Sequence, residues 1–306
     1  MEVSTAKVVS IVVLGLGSFI SGMAPACISQ SARQRHPLLI SCLLCFGGGV
    51  LLSTSLTHML PEAREKLPEY TELLLCVGFF LVYVVDEIVH FFYGTNEHPF
   101  HHHDRVQRNY GTVGQSLLDQ RNDGEMRERC DSNSRMCHVS HTEPCNRSSS
   151  GVVGLLCALV VHSLLEGLAI GLQESASQVL LLLGAVASHK LVVGFCLGAE
   201  LCAGAGSVVC ALLLCVTLFS GGSVAGIVLG ALLENVSVVK DSVAIPIMQA
   251  LAAGTLLYVT VSEVLPRERA RWHERKRGAG MAQFVAVTVG FAVMYILTMF
   301  LDHDAA

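Results

Sequence analysis

The sequence predicts an all-α integral membrane protein: eight transmembrane helices, in which helices 1-3 and 6-8 form an inverted repeat around central helices 4 and 5. Three observations lead there. Hydrophobic residues make up 52% of the 306 and charged residues only 15%, with a mean hydropathy of +0.56, far from the average soluble domain. Eight apolar segments each run to about 20 residues, the length that crosses a hydrocarbon core about 30 Å thick at about 1.5 Å per residue. Two of these segments also repeat one another. Helices are the default for every span, because lipid offers backbone N–H and C=O groups no partner.

In chain order the segments are 8–28, 38–60, 72–93, 151–172, 178–200, 206–233, 244–265 and 281–301. The first ends in Ala24-Pro25-Ala26, which also fits a signal-peptidase site. Cleavage there would reverse every later span, so 8–28 is read as a membrane helix. The third segment is followed by the one long polar stretch, which divides the chain into helices 1–3 (1-93), a cytosolic His-containing, mostly disordered loop (94-150) and helices 4–8 (151-306). Sidedness follows from basic residues. Arg33 and Arg35, then Arg105, Arg108, Arg121, Arg127, Arg129, Arg135 and Arg147, then Arg267, Arg269, Arg271, Arg275, Lys276 and Arg277 fall on one face if the spans alternate. The opposite connections are poor in basic residues or balance them with acid, as Arg64 and Lys66 lie among Glu62, Glu65 and Glu69. Both termini are therefore expected outside and the loop 94–150 inside.

The repeat is GVLLSTSLTHMLPEAR (49–64) against GTLLYVTVSEVLPRER (254–269), aligned without a gap and each followed by a span carrying Gly-Phe, Gly78-Phe79 and Gly290-Phe291. Helix 2 runs inside to outside and helix 7 the reverse, so the copies are inverted, as in many secondary transporters. His58 stands where the second copy has Glu263. His58 alone is read equally well as a helix-to-helix hydrogen bonder or as a group on an ion path. Cys42, Cys45, Cys76, Cys157, Cys196, Cys202, Cys210 and Cys215 lie in or beside apolar spans, where a free thiol packs as a small hydrophobe. No GxxxxGK[ST] loop is present, so ATP-driven pumping has no visible engine.

Chemistry concentrates at the centre of the fourth and fifth segments. His162 and Glu166 are four residues apart and share a helix face, about 6 Å from each other, and His189 lies at the centre of the next segment. Each histidine is about eleven residues into its span, so both reach a depth of about 15 Å. Ionisable groups at the midplane are costly, about 2.5–3.5 kcal/mol each on insertion scales, and mark ion paths. Imidazole nitrogen with carboxylate oxygen suits zinc and other borderline divalent ions rather than calcium or magnesium. The five-residue turn 173–177 makes the two spans neighbours. Gly167, Ala169 and Gly171 let another backbone approach the same helix.

HSLLEGLAIG (162–171) followed by HKLVVGFCLG (189–198) resembles the fourth and fifth helices of the ZIP family of zinc and iron-type transporters, in particular its animal plasma-membrane subgroup. GFFLVYVVDEI (78–88) and LLYVTVSEVLP (256–266) extend the likeness to the third and seventh helices. The resemblance implies zinc import toward the cytosol, dimers in the plasma membrane, and no enzymatic activity or cofactor. It implies a metal position formed by His162, Glu166 and His189, with Ser163 where many members have Asn and Lys190 where many have an acid. Lys190 is then either a cation standing in for a second metal or the partner of an intramembrane acid. Glu263 matches an acid of the cytosolic exit, and Asp86 and Glu87 lie near the same end.

In the loop, His98, His101, His102 and His103, and further on Cys137, His138, His141 and Cys145, can gather zinc or sense it. The expected partners are Zn2+, with Cd2+ as a competitor, the bilayer and a second copy of the chain, and no nucleic acid. Two other classes fit parts of the pattern: a membrane-embedded zinc hydrolase, and a zinc-sensing receptor without flux. A hydrolase needs an open coordination position and a general base, and here Glu166 is wanted as a ligand.

Overall fold

The computed structural model describes residues 2–28, 37–93, 149–203, 209–233, 243–272 and 277–305. Among them are eight helices long and apolar enough to cross a membrane: α1 (Val3–Cys27), α2 (Pro37–Lys66), α3 (Thr71–Phe92), α4 (Gly151–Gly171), α5 (Ala176–Cys202), α6 (Val209–Leu233), α7 (Ala244–Ala270) and α8 (Gly278–Phe300). No strand occurs among the described residues. The loop histidines His98, His101, His102 and His103, and the cysteines 130, 137 and 145, lie outside them.

Two helices outrun their expected ends. Pro61 and Pro266 look like stops, because proline lacks an N–H and its ring collides with the carbonyl four residues back. In both copies the helix instead widens into a π turn just before the Leu-Pro pair, over Thr54–Met59 and Val259–Val264. The N–H of Leu60 reaches back to the Ser55 carbonyl and that of Leu265 to the Thr260 carbonyl. The widened turn makes room for the ring, and the helix continues to Lys66 and Ala270.

Packing does not follow chain order. α4 rests chiefly on α6, and α5 on α1, while α4 and α5 touch each other only briefly despite their short connection. α2 packs on α8 and α7 on α3, so the partners are exchanged between the two sequence copies. Matching glycines make both close approaches. A Cβ at Gly49 would stand 2.8 Å from the Phe291 nitrogen of α8, and one at Gly254 would stand 2.7 Å from the Phe79 nitrogen of α3.

The interior is layered. One apolar cluster gathers Leu51, Leu155, Leu159, Val193, Leu197, Phe219 and Leu256. A second gathers Leu14, Ala169, Ile170, Leu182, Val186 and Ile227. Along α4 the first ends at Leu159 and the second begins at Ala169, and along α5 the second ends at Val186 and the first begins at Val193. The central polar residues of both helices, from His162 to Glu166 and from Ser188 to Lys190, therefore occupy one slab between the two apolar layers. Outward faces carry exposed Phe80, Phe91, Phe284 and Phe300, as a lipid-facing surface requires.

Candidate metal centre

His162, Glu166 and His189 are all buried in that slab. Their ligand atoms lie within 4.8 Å of one another, the one such group of three His, Cys, Asp or Glu side chains among the described residues. Glu166 Oε1 is the focus: His189 Nε2 is 2.6 Å from it and His162 Nε2 is 3.2 Å. The ring centroids are 6.3 Å apart, so the two imidazoles face one point, as their equal depth predicts.

Backbone carbonyls fix which nitrogen faces that point. His162 Nδ1 lies 3.1 Å from the Ala252 carbonyl and 3.0 Å from Thr255 Oγ1. Thr255 itself donates to the same carbonyl at 2.7 Å. His189 Nδ1 donates to the Ala185 carbonyl at 3.1 Å, one turn back on α5. With the proton on Nδ1, each Nε2 presents a lone pair, the tautomer that binds metal. Two lone pairs then converge on a carboxylate oxygen, and His162 Nε2 has no hydrogen-bond partner. A positive charge at that point removes the repulsion, as either extra protons or a divalent ion. The donor set of two nitrogens and one oxygen is that of a borderline metal with room for a further ligand.

The second carboxylate oxygen is served differently. Lys190 Nζ is 3.5 Å from Glu166 Oε2, donates to Ser163 Oγ at 2.8 Å, and sits 4.8 Å from the centre of the Phe219 ring. Of the two roles that the sequence leaves open for Lys190, the contact with Glu166 is the pairing with an intramembrane acid. Ser163 touches the ammonium. Val193 is buried in the apolar layer.

Of the remaining sequence candidates, His58 and Glu263 each line a cavity. One, about 10 Å³, is lined by His58, Glu62, Gln249, Glu166 and His189, so His58 does open onto the centre, with its imidazole 4.0 Å from Glu62. The other, about 30 Å³, is lined by Glu200, Glu263, Arg267 and Glu268 and by apolar groups that include Leu155 and Val193. None of the three ligands reaches it. Glu87 is exposed and lines neither cavity. Its neighbour Asp86, about 100° round the helix, is the inward one and accepts from Tyr258 Oη at 3.1 Å.

Sequence reasoning passed over Thr255, the Ala252 and Ala185 carbonyls, Glu62 and Gln249. Thr255 and Glu62 lie within the repeated blocks and were open to discovery there. The carbonyls carry no side-chain signature.

The sequence model of the family described as ZIP zinc transporter matches residues 4–298. The chain is similar to zinc transporter ZIP1 of Mus musculus, at 28% identity covering 94% of this chain and 89% of that one. It is also similar to zinc transporter ZIP3 of Mus musculus, at 29% identity covering 94% and 96%, and to zinc transporter ZIP3 of Homo sapiens, at 27% covering 88% and 90%.

Proposed function

The chain belongs to the ZIP zinc transporter family, and from that premise we propose that it imports Zn2+ into the cytosol by alternating access through His162, Glu166 and His189. Zinc transport across a membrane is the family's activity, so the chain is a transporter rather than an enzyme, with zinc as substrate and not as cofactor. The observation that carries the reading is the convergence of three donors on one buried point, His189 and His162 Nε2 at 2.6 and 3.2 Å from Glu166 Oε1. A hydrated ion entering the smaller cavity exchanges water for these donors one at a time. Free zinc is scarce in cytosol, so the gradient drives import.

Several features support the finer reading. The exchanged partners of α2 and α7, and their matching π turns, favour an inverted repeat of helices 1–3 and 6–8, the architecture in which one half rocks against the other. Basic residues favour external termini and a cytosolic 94–150 segment. One zinc binds at a time, with Lys190 in place of a second ion. His58 lies on the entry path and Glu263 on the exit, while His98, His101, His102 and His103 collect or sense zinc that has passed. The plasma membrane is the proposed address and a homodimer the proposed assembly, with Cd2+ a competing cargo.

Zinc-65 uptake into vesicles holding the purified protein tests the proposal. Wild type accumulates zinc and His162→Ala does not, while reaching the membrane in equal amount. Uptake by His162→Ala at the wild-type rate sinks the assignment. Protons compete with zinc for the same donors, so uptake falls as external pH drops from about 7.5 to about 5.5.

A further inference from the structure

The larger cavity is lined by Leu51, Leu155, Leu159, Val193 and Leu197 of the first apolar layer, and its polar wall is tied by two consecutive residues of α7. Arg267 forms an ion pair with Glu263, one turn earlier on the same helix, and its Nη2 donates to the Gly151 carbonyl at the start of α4 at 2.8 Å. A Cβ at Gly151 would stand 3.0 Å from that nitrogen, so the guanidinium lies flush on the α4 backbone. Glu268 turns the other way. Its carboxylate accepts from Ser41 of α2 at 2.6 Å, and Gln283 of α8 donates both to Ser41 Oγ and to the Glu268 carbonyl at 2.9 Å. Glu268 thus joins α2, α7 and α8, whereas Arg267 fastens α7 to α4, the helix that carries two of the three ligands.

The repeat sharpens the contrast. His58 and Glu62 in the first copy align with Glu263 and Arg267 in the second, each pair spanning a π turn and a Leu-Pro step. The first pair ends in a carboxylate and lines the cavity that reaches Glu166. The second ends in a fixed cation and lines the cavity that does not. An arriving zinc is drawn to the first end. At the second, the acid it would meet already holds a positive charge.

We propose that Arg267 is the tethered cation that keeps the Glu263 end shut: it occupies Glu263 and clamps α7 to the start of α4, and it must let go before an ion can leave by that side. Arg267 is a positioning residue rather than a ligand. The proposal rests on the alternating-access reading, but its test uses no zinc flux. Cys196 is buried and lines the closed cavity, so its thiol reports opening of that end.

The full chain in vesicles is treated with a membrane-permeant maleimide, and labelling at Cys196 is followed by peptide mass mapping. Arg267→Gln and Glu263→Gln are each expected to speed labelling about tenfold, the scale of losing a charge-assisted hydrogen bond. The double variant should be no faster than either single one, because the two changes remove one clamp. Arg267→Lys, which keeps the charge, should restore most of the protection. Cys215 of α6, on neither cavity, serves as the control. Unchanged Cys196 labelling in Arg267→Gln, additive effects in the double variant, or parallel rises at Cys196 and Cys215 would each overturn the proposal. Vesicles that label as expected yet accumulate no zinc would count against the transport reading alone.

Discussion

Glu166 serves two masters, and on the proposed reading the division between its oxygens lets a buried site hold an ion and still release it. Oε1 faces two imidazoles, while Oε2 faces the Lys190 ammonium at 3.5 Å. Unit charges about 4 Å apart interact by about 4 kcal/mol at an effective dielectric of about 20, so the ammonium cancels much of the pull that the carboxylate exerts on zinc. Affinity strong enough to strip water but too weak to trap the ion is what conduction requires. Lys190→Met keeps the bulk and removes the charge. Its apparent KM for zinc is expected to fall about tenfold, with a lower maximal rate because release becomes slow. Stability should change in a zinc-dependent way. Without zinc the variant leaves Glu166 buried without its ammonium partner, a loss of about 3–5 kcal/mol, and saturating zinc should restore much of it by binding the folded state alone. Flux assays and thermal melts with and without zinc check both halves. An unchanged KM would leave Lys190 a purely structural cation.

At the scale of helices, glycine faces decide which partners meet. α4 and α6 cross so closely that a Cβ at Gly226 would stand 2.8 Å from the Leu168 nitrogen and 2.9 Å from the Gly167 Cα. Backbone cannot yield as a flexible side chain does. Gly226→Ala is therefore expected to destabilise by about 1–3 kcal/mol, seen as a lower melting temperature and poorer recovery from membranes. Gly221, on the same helix, has no atom within 4 Å of its added Cβ. There Gly221→Ala should be neutral or stabilising, since alanine gains about 1 kcal/mol over glycine within a helix. Equal losses at both positions would refute the crossing argument. These faces also show where sequence falls short. Span lengths could be read from hydropathy, and His162 with Glu166 from helical spacing. That α4 and α5 would separate onto α6 and α1 could not, because a short turn limits distance between ends and says nothing about which surfaces interlock. The π turns were hidden for a related reason: proline announces a disturbed helix but not the form of the disturbance. The Asp86 and Glu87 choice turned on a helix rotation that two adjacent acids cannot reveal.

Among the described residues of the whole molecule, the three candidate donors lie within the helices. The described helices before and after the long stretch make one compact unit, and all three donors come from α4 and α5. The carbonyls that orient them belong to α7 and α5. The histidines at 98 and 101–103 lie outside the described residues, and the proposed reading gives them zinc that has already passed rather than zinc in transit. Replacing 98–143 by a Gly/Ser linker separates the two. Some 20 residues of such a linker have a root-mean-square span of about 25 Å, comparable to the width of a few packed helices at 8–10 Å each. The shortened chain should therefore still assemble and bring the ends of α3 and α4 together. In vesicles, where no cytosolic zinc buffer acts, its KM for zinc uptake is expected to match the full chain within about twofold. In cells, the two should diverge if the histidines collect or sense zinc, with uptake by the shortened chain responding less to a rise in cytosolic zinc. A large change of KM in vesicles would mean that the segment takes part in loading the centre, and the assignment of the transport step to the helical unit alone would fail.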